Sequence, residues 1–393
     1  MKFMVKGVSL TFFLIIVFSL SKAQKSNLDV VDENATRKTK ILYENLLKLS
    51  KKGVMFGHQD DLAYGVGWWD EPEDSDVKRI TGTYPAVFGW DLGFIETGRP
   101  FNIDTVDFKS MHRWIKKAYK MGCINTISWH VNNPVNGNNS WDKEQGSVKQ
   151  ILPGGKYHFT YVEYLDKVAD FAKKCKAGPF TSIPLIFRPF HEHNGNWFWW
   201  GKGMNSEEDY IQLYRFTVTY LRDERKVHNL LYAFSPDRSR LDIDNIKEAY
   251  LYGYPGDSYV DIIGLDNYWD VGHSANTATP QVQQQQQFLK SLQAVSQLAK
   301  DKRKVAALTE TGSFGVKDEK WFTDYILRPI QSAPNPPAIA WMLVWRNRFK
   351  EETFTPFQGH PAAEDFKQFE QSNYTFFADD IQNLYQLNKP LLK

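Results

Sequence analysis

Eight short apolar runs punctuate the chain: Val54–His58, Ala86–Asp91, Ile124–His130, Ile183–Phe190, Leu230–Ser235, Asp261–Asp266, Val305–Glu310 and Ile339–Trp345. Most lack strict apolar–polar alternation, the pattern of parallel strands covered on both faces. Between them, apolar residues recur at helical spacing over Asp107–Lys120, Tyr161–Lys176, Ser206–Arg225, Gln281–Lys300 and Lys317–Pro329. Ser206-Glu207-Glu208-Asp209 reads as an N-cap followed by an acidic first turn. The helices after the first and fifth strands leave little periodic signal. Strands alternating with helices predict an α/β chain folded as one (β/α)8 TIM barrel. A doubly wound sheet would need a glycine-rich phosphate loop after its first strand to bind a nucleotide, and the sequence has none there. The Gln283–Gln287 run sits inside a helical pattern and reads as a solvated helix face. Asn132–Gly155, rich in Asn and Gly, reads as a long loop over the barrel mouth, placed to overhang bound sugar on its non-reducing side.

The first residues follow a different pattern. Lys2 and Lys6 precede the apolar stretch Leu10–Leu20, and Ser21-Lys22-Ala23 supplies small residues for cleavage. Residues 1–23 therefore read as a signal peptide, too short to span a bilayer, and 24–393 as the catalytic domain. No cysteine follows the cleavage site, so no lipoprotein anchor is expected. The mature chain is expected to be periplasmic or extracellular, without a stable membrane anchor and as a monomer or weak dimer. A net charge of +2 with scattered Lys and Arg gives no nucleic acid a surface to bind. Cys123 and Cys175 leave one disulfide or two buried thiols open.

Candidate chemistry gathers at the C-terminal ends of the predicted strands, where a barrel builds its active site. These ends carry His58-Gln59-Asp60, Trp90-Asp91, Trp129-His130, His191-Glu192, Asp266-Asn267-Tyr268-Trp269, Glu310 and Trp345-Arg346-Asn347. Glu192 and Glu310 lie 118 residues apart, and a closed barrel brings such ends together. Paired carboxylates beside a tryptophan run (Trp197, Trp199, Trp200) point to acid/base chemistry on a sugar. One or two of these tryptophans are expected to touch substrate, the rest to pack. Strand alternation would put Arg188, Phe190 and Glu192 on one face, with Arg188 one layer below, placed to keep a nearby carboxylate ionised. His191-Glu192-His193 also resembles the His-x-His of a zinc-dependent barrel hydrolase, with His58, Asp91, His130 and Asp266 as further ligands in principle. The opposite parity of Glu192 counts against that alternative. A non-catalytic sugar-binding barrel is the other alternative, and the presence of both Glu residues counts against it.

The motifs FGHQDD (Phe56–Asp61), SWH (Ser128–His130), RPFHEHNGNWFWWG (Arg188–Gly201), GLDNYW (Gly264–Trp269), TETG (Thr309–Gly312) and MLVWRN (Met342–Asn347) resemble glycoside hydrolase family 26, chiefly β-1,4-mannanases. The resemblance runs from about Gly57 to Trp345, and the fourth-strand motif is its most specific part. It implies a retaining double displacement with Glu192 as acid/base and Glu310 as nucleophile, and no cofactor. It also implies β-mannan, galactomannan or manno-oligosaccharides as substrate. His130, His191, Trp197, Tyr268 and Trp345 match family positions near the cleavage point. Asp266 and Trp90 are placed there by position, and Arg188 by the strand argument. The same family leaves β-1,3-xylanase and mixed-linkage glucanase activity as alternatives.

Overall fold

Each of the eight apolar runs forms a strand, and the strands close into a barrel. In the computed structural model, which describes residues 30–387 and 389–393, they are β1 (Val54–Gln59), β2 (Val87–Asp91), β3 (Ile124–Trp129), β4 (Leu185–Pro189), β5 (Leu230–Phe234), β6 (Ile262–Asn267), β7 (Val305–Thr311) and β8 (Trp341–Val344). Every pairing between consecutive strands is parallel. Closure comes from β8 returning to β1, with Met55 opposite Trp341 and His58 opposite Val344. Every residue of these strands is buried, which accounts for the missing alternation. The register shifts between Leu265 and Asp266 of β6, and between Leu308 and Thr311 of β7. Such irregularities re-aim side chains at a barrel rim.

Helices cover the barrel. Phe108–Met121 is capped by Asp107, whose carboxylate accepts Ser110 N–H at 2.8 Å, and Glu207–Thr219 by Ser206, which accepts Asp209 N–H at 3.1 Å. The α-helices in the connections after β1 and β5, Asp76–Thr81 and Ile246–Tyr250, are too short to show a period. Gly315 and Val316 are left-handed, so the expected Lys317–Pro329 helix starts late, as a wide turn over Phe322–Leu327 that continues into Arg328–Gln331. The glutamine run is only partly solvated. Gln284 is buried, donates to Asn276 and Thr279 carbonyls and accepts Gly272 N–H, tying the connection from β6 to its helix.

Two features lie outside the expected elements. Helix α1 (Arg37–Leu49) precedes the barrel, capped by Thr36. Its Asn45 holds the C-terminal segment by donating to Leu384 and Gln386 carbonyls at 2.8 and 3.1 Å. Cys123 and Cys175 are both free and buried. The signal-peptide reading lies outside the described residues. Among the described residues, no helix is long and apolar enough to cross a membrane.

Candidate active site

The site begins where β4 ends. Past Pro189 the backbone leaves the extended region, and Phe190 and Glu192 adopt left-handed φ values of 51° and 54°. Such conformations are costly for residues with a Cβ and persist where surrounding structure enforces them. Here Glu192 N–H donates to Ser235 O at 2.8 Å and Gly195 N–H to Glu192 O at 2.9 Å. The alternation expected over Arg188, Phe190 and Glu192 therefore breaks. Phe190 packs among Trp129, Trp199 and Trp200, while Glu192 turns to the mouth, where Trp197 Nε1–H donates to its Oε2 at 2.7 Å. His191 and His193 also part. His191 meets His130 edge-on with ring centroids 4.7 Å apart. His193 stacks on Tyr210 and Tyr252, and its Nε2 bonds Tyr252 O at 2.7 Å. Among the described residues, no group of three or more His, Cys, Asp or Glu side chains is placed to hold a metal ion.

Beneath Glu192 lies a buried charge network. Arg188 donates from Nη1 to Asp266 Oδ2 at 2.6 Å and to Ser235 Oγ at 3.1 Å, and from Nη2 to Glu310 Oε2. Glu310 Oε1 accepts the Tyr268 hydroxyl at 2.8 Å, so both Glu310 oxygens are occupied by donors. Asp266 also accepts Thr309 Oγ1–H at 2.7 Å. Arg188 and Asp266 therefore act beneath the surface, holding the pair, rather than lining the cleft. Burial would lower Arg188, but the charges of Asp266 and Glu310 outweigh it and keep the guanidinium charged. Burial and the charges of Asp237, Asp266 and Glu310 push Glu192 well above the carboxylate range. Burial also raises Asp237, and raises Asp266 to about 8, so one buried guanidinium is shared among carboxylates that favour their protonated forms, Glu192 at the mouth among them.

A second pair sits on β2 and β3. His130 Nδ1 bonds Asp91 Oδ2 at 2.7 Å, and the same oxygen accepts Ser128 Oγ–H at 2.6 Å. Burial would lower His130, but Asp91's charge and hydrogen bond raise it above the usual imidazole value. Burial would raise Asp91, but His130, Ser128 and Gly93 N–H bring it below its ordinary value. His191 moves the opposite way: burial, then the charges of Arg188 and His130, lower it well below the imidazole range. Trp345 borders the pair, its ring centroid 6.1 Å from that of His130.

The expected place of Trp90 needs correction. Because strand neighbours point to opposite faces, Asp91 reaches the mouth and Trp90 faces away. Trp90 is fully buried, lies parallel to Trp114 at 5.9 Å and donates to Asn125 Oδ1 at 2.9 Å. It belongs to the layer between barrel and helix. Of the tryptophan run, Trp197 alone touches Glu192, and Trp199 and Trp200 are fully buried.

Several residues at the mouth carry no strong sequence signal. Trp141, 49% exposed, stacks on His130 at 5.4 Å from within the Asn132–Gly155 loop. That loop is tied down: Trp199 N–H donates to Ser140 O, Gly146 N–H to Met204 O and Lys143 Nζ to Asn196 O. Glu96, pushed up to about 7 by burial, accepts Asn132 N–H at 2.9 Å and Trp129 Nε1–H at 3.3 Å. At the ends of β1 and β8, Arg346 pairs with Asp104 at 2.7 Å, and Tyr64 donates to Asp60 at 2.8 Å. Asp237, beyond β5, is hydrogen-bonded through its main chain to Asn194, two residues past Glu192. A surplus carboxylate in a loop looks like any solvated acid, and only the pairings of the fold distinguish it.

The family model of glycosyl hydrolase family 26 matches residues 31–317. A mannan endo-1,4-beta-mannosidase of Bifidobacterium adolescentis is 35% identical over 376 residues, 91% of this chain and 36% of that protein. The chain thus spans about a third of that relative's length. A mannan endo-1,4-beta-mannosidase of Bacillus subtilis is 32% identical over 67% of this chain and 73% of its own. The solved structure of a family 26 beta-mannanase from Bacteroides ovatus superposes with a TM-score of 0.82 at 38% identity, covering 90% of this chain and 98% of that one.

Proposed function

The chain belongs to glycosyl hydrolase family 26, and from that membership we propose that it is a retaining β-1,4-mannanase. It would hydrolyse internal or near-terminal bonds of mannan, galactomannan and manno-oligosaccharides by double displacement. The observation that carries the reading is the unequal pair: Glu192 keeps a proton at the mouth, while Glu310 has both oxygens held by Arg188 and Tyr268. In the first step Glu192 gives its proton to the glycosidic oxygen as a Glu310 oxygen bonds the anomeric carbon. The leaving sugar departs as an alcohol and a glycosyl ester remains on Glu310. That ester removes one negative charge beside Glu192, which is then a better base. Glu192 takes a proton from water, the hydroxyl displaces Glu310, and two inversions return the original configuration. This sequence requires carboxyls about 5–5.5 Å apart. His130, hydrogen-bonded to Asp91, and Trp345 and Trp141 beside it offer one polar and two stacking contacts to the sugar at the cleavage point. The leader Lys2–Ala23 supports export as part of the same proposal.

A product profile on mannohexaose, galactomannan, β-1,3-xylan and lichenan tests the specificity. The expected result is manno-oligosaccharides from the first two substrates and no release from the others. Faster release from β-1,3-xylan or lichenan would contradict the mannanase assignment.

A further inference from the structure

The strand end that carries no chemistry in the sequence is that of β5, yet β5 leads into Asp237, whose main chain is hydrogen-bonded to the turn that carries the acid/base. Asp237 pairs with Asp266 in parallel register, so both side chains leave the same face of the sheet. Asp266 uses that face to reach Arg188. Asp237 therefore projects toward the mouth one strand nearer to Glu192. Its backbone is locked there. Asp237 N–H donates to Asn194 Oδ1, Asn194 Nδ2–H donates to Asp237 O, both at 2.8 Å, and Ser235 O accepts Glu192 N–H. Asn194 lies two residues past Glu192, so this clamp fixes the two carboxylates relative to each other. Asp237 is 7% exposed, and burial raises its carboxyl above the ordinary value, while Ser239 Oγ–H, the backbone N–H groups of Ser239 and Arg240 and the Arg240 charge favour its ionised form.

Building on the double-displacement reading, we infer that Asp237 is a positioning residue whose charge keeps the proton on Glu192 until the leaving group takes it. The groups that face Glu192 leave this role open. Arg188 of β4 is committed to Asp266 and Glu310, Tyr268 beyond β6 donates to Glu310, and Trp197 donates to Glu192 itself. Two further cations follow Asp237: buried Arg238 is committed to Asp270 at 2.8 Å, and Arg240 lies over the Trp197 ring at 5.3 Å and is exposed, so solvent screens it. Burial is the largest cause of Glu192's rise, and Asp237 is the first of the charges that add to it, ahead of Asp266 and Glu310.

Asp237→Asn removes the charge but keeps the backbone clamp, which uses only the main chain of Asp237. The readout is the Glu192 carboxyl, followed by carbon NMR of carboxyl-labelled glutamate and identified by its loss in Glu192→Gln. The expected result is a Glu192 midpoint lower by roughly one pH unit. The alkaline limb of kcat/KM should move with it, and Asp237→Glu should restore both. A merely structural role would lower kcat and leave the Glu192 titration in place, and that result overturns the inference. Should Asp237→Asn not fold, Asp237→Ser is judged by the same criterion. A titration that moves while the rate limb stays fixed would uphold the role of Asp237 and overturn Glu192 as the acid, so the two claims fail separately.

Discussion

Glu192 and Glu310 are chemically alike, and their neighbours divide their work. Two donors occupy Glu310, whereas carboxylates crowd Glu192. The residue types and their strand-end positions are visible in the sequence, but the division is not, because it depends on which strands the barrel makes adjacent. Arg188 is legible as a guanidinium under the pair, though its simultaneous hydrogen bonds to Asp266 and Glu310 are not. Trp90 shows the reverse failure: its position beside Asp91 is informative, but one step of alternation turns it to the outer layer. The His130–Asp91 pair makes a prediction at this scale. His130 is raised, so its contribution to stability is complete below the ordinary imidazole value and fades as pH climbs through the raised one. Asp91 is depressed, so its contribution is complete above the ordinary carboxylate value and fades as pH falls. Asp91→Asn should therefore cost most between about pH 4 and 6.5, on the order of 3–5 kcal/mol, and less in alkali. Urea unfolding of both proteins at about pH 5.5 and about pH 9 checks this. An equal cost at the two pH values would contradict it.

Elements were legible in proportion to their length and regularity. The eight buried strands announce themselves as apolar runs, and the long helices by their period. Short helices after β1 and β5 have too few turns to do so. The turn after β4 breaks its own alternation through two left-handed residues, which no apolar pattern encodes. The Asn132–Gly155 loop is visible from composition, but its anchoring is set by backbone bonds to Trp199 and Met204. That anchoring holds Trp141 over His130. Trp141→Ala should raise KM for manno-oligosaccharides about tenfold, the worth of an aromatic stacking contact, while kcat and thermal stability change little. Steady-state kinetics on mannotetraose read it out. An unchanged KM in the folded variant would remove Trp141 from the binding surface.

At the scale of the molecule, closure of β8 onto β1 completes the ring of strand ends, and Asn45 ties α1 to the C-terminal segment. Tyr385 reaches Cys123 O at 2.7 Å from near the C-terminus. Such long-range contacts leave no local trace in sequence, so the C-terminal segment is not legible there, whereas α1 does carry a helical period in Ile41, Leu42, Leu46 and Leu49. The closed ring also brings two distant glutamates to one mouth, and the double displacement proposed for them can be tested directly. Take Glu192→Ala and Glu310→Ala with an aryl β-mannoside bearing a very good leaving group, in the presence of azide, and determine the configuration of the azide product. Without the acid/base, departure of such a leaving group needs little proton donation, and azide needs no base to attack the ester on Glu310. The account predicts β-mannosyl azide from Glu192→Ala, with hydrolysis of mannan reduced at least ~10³-fold in both variants. β-Mannosyl azide from Glu310→Ala instead would contradict it, and the two roles would have to be exchanged.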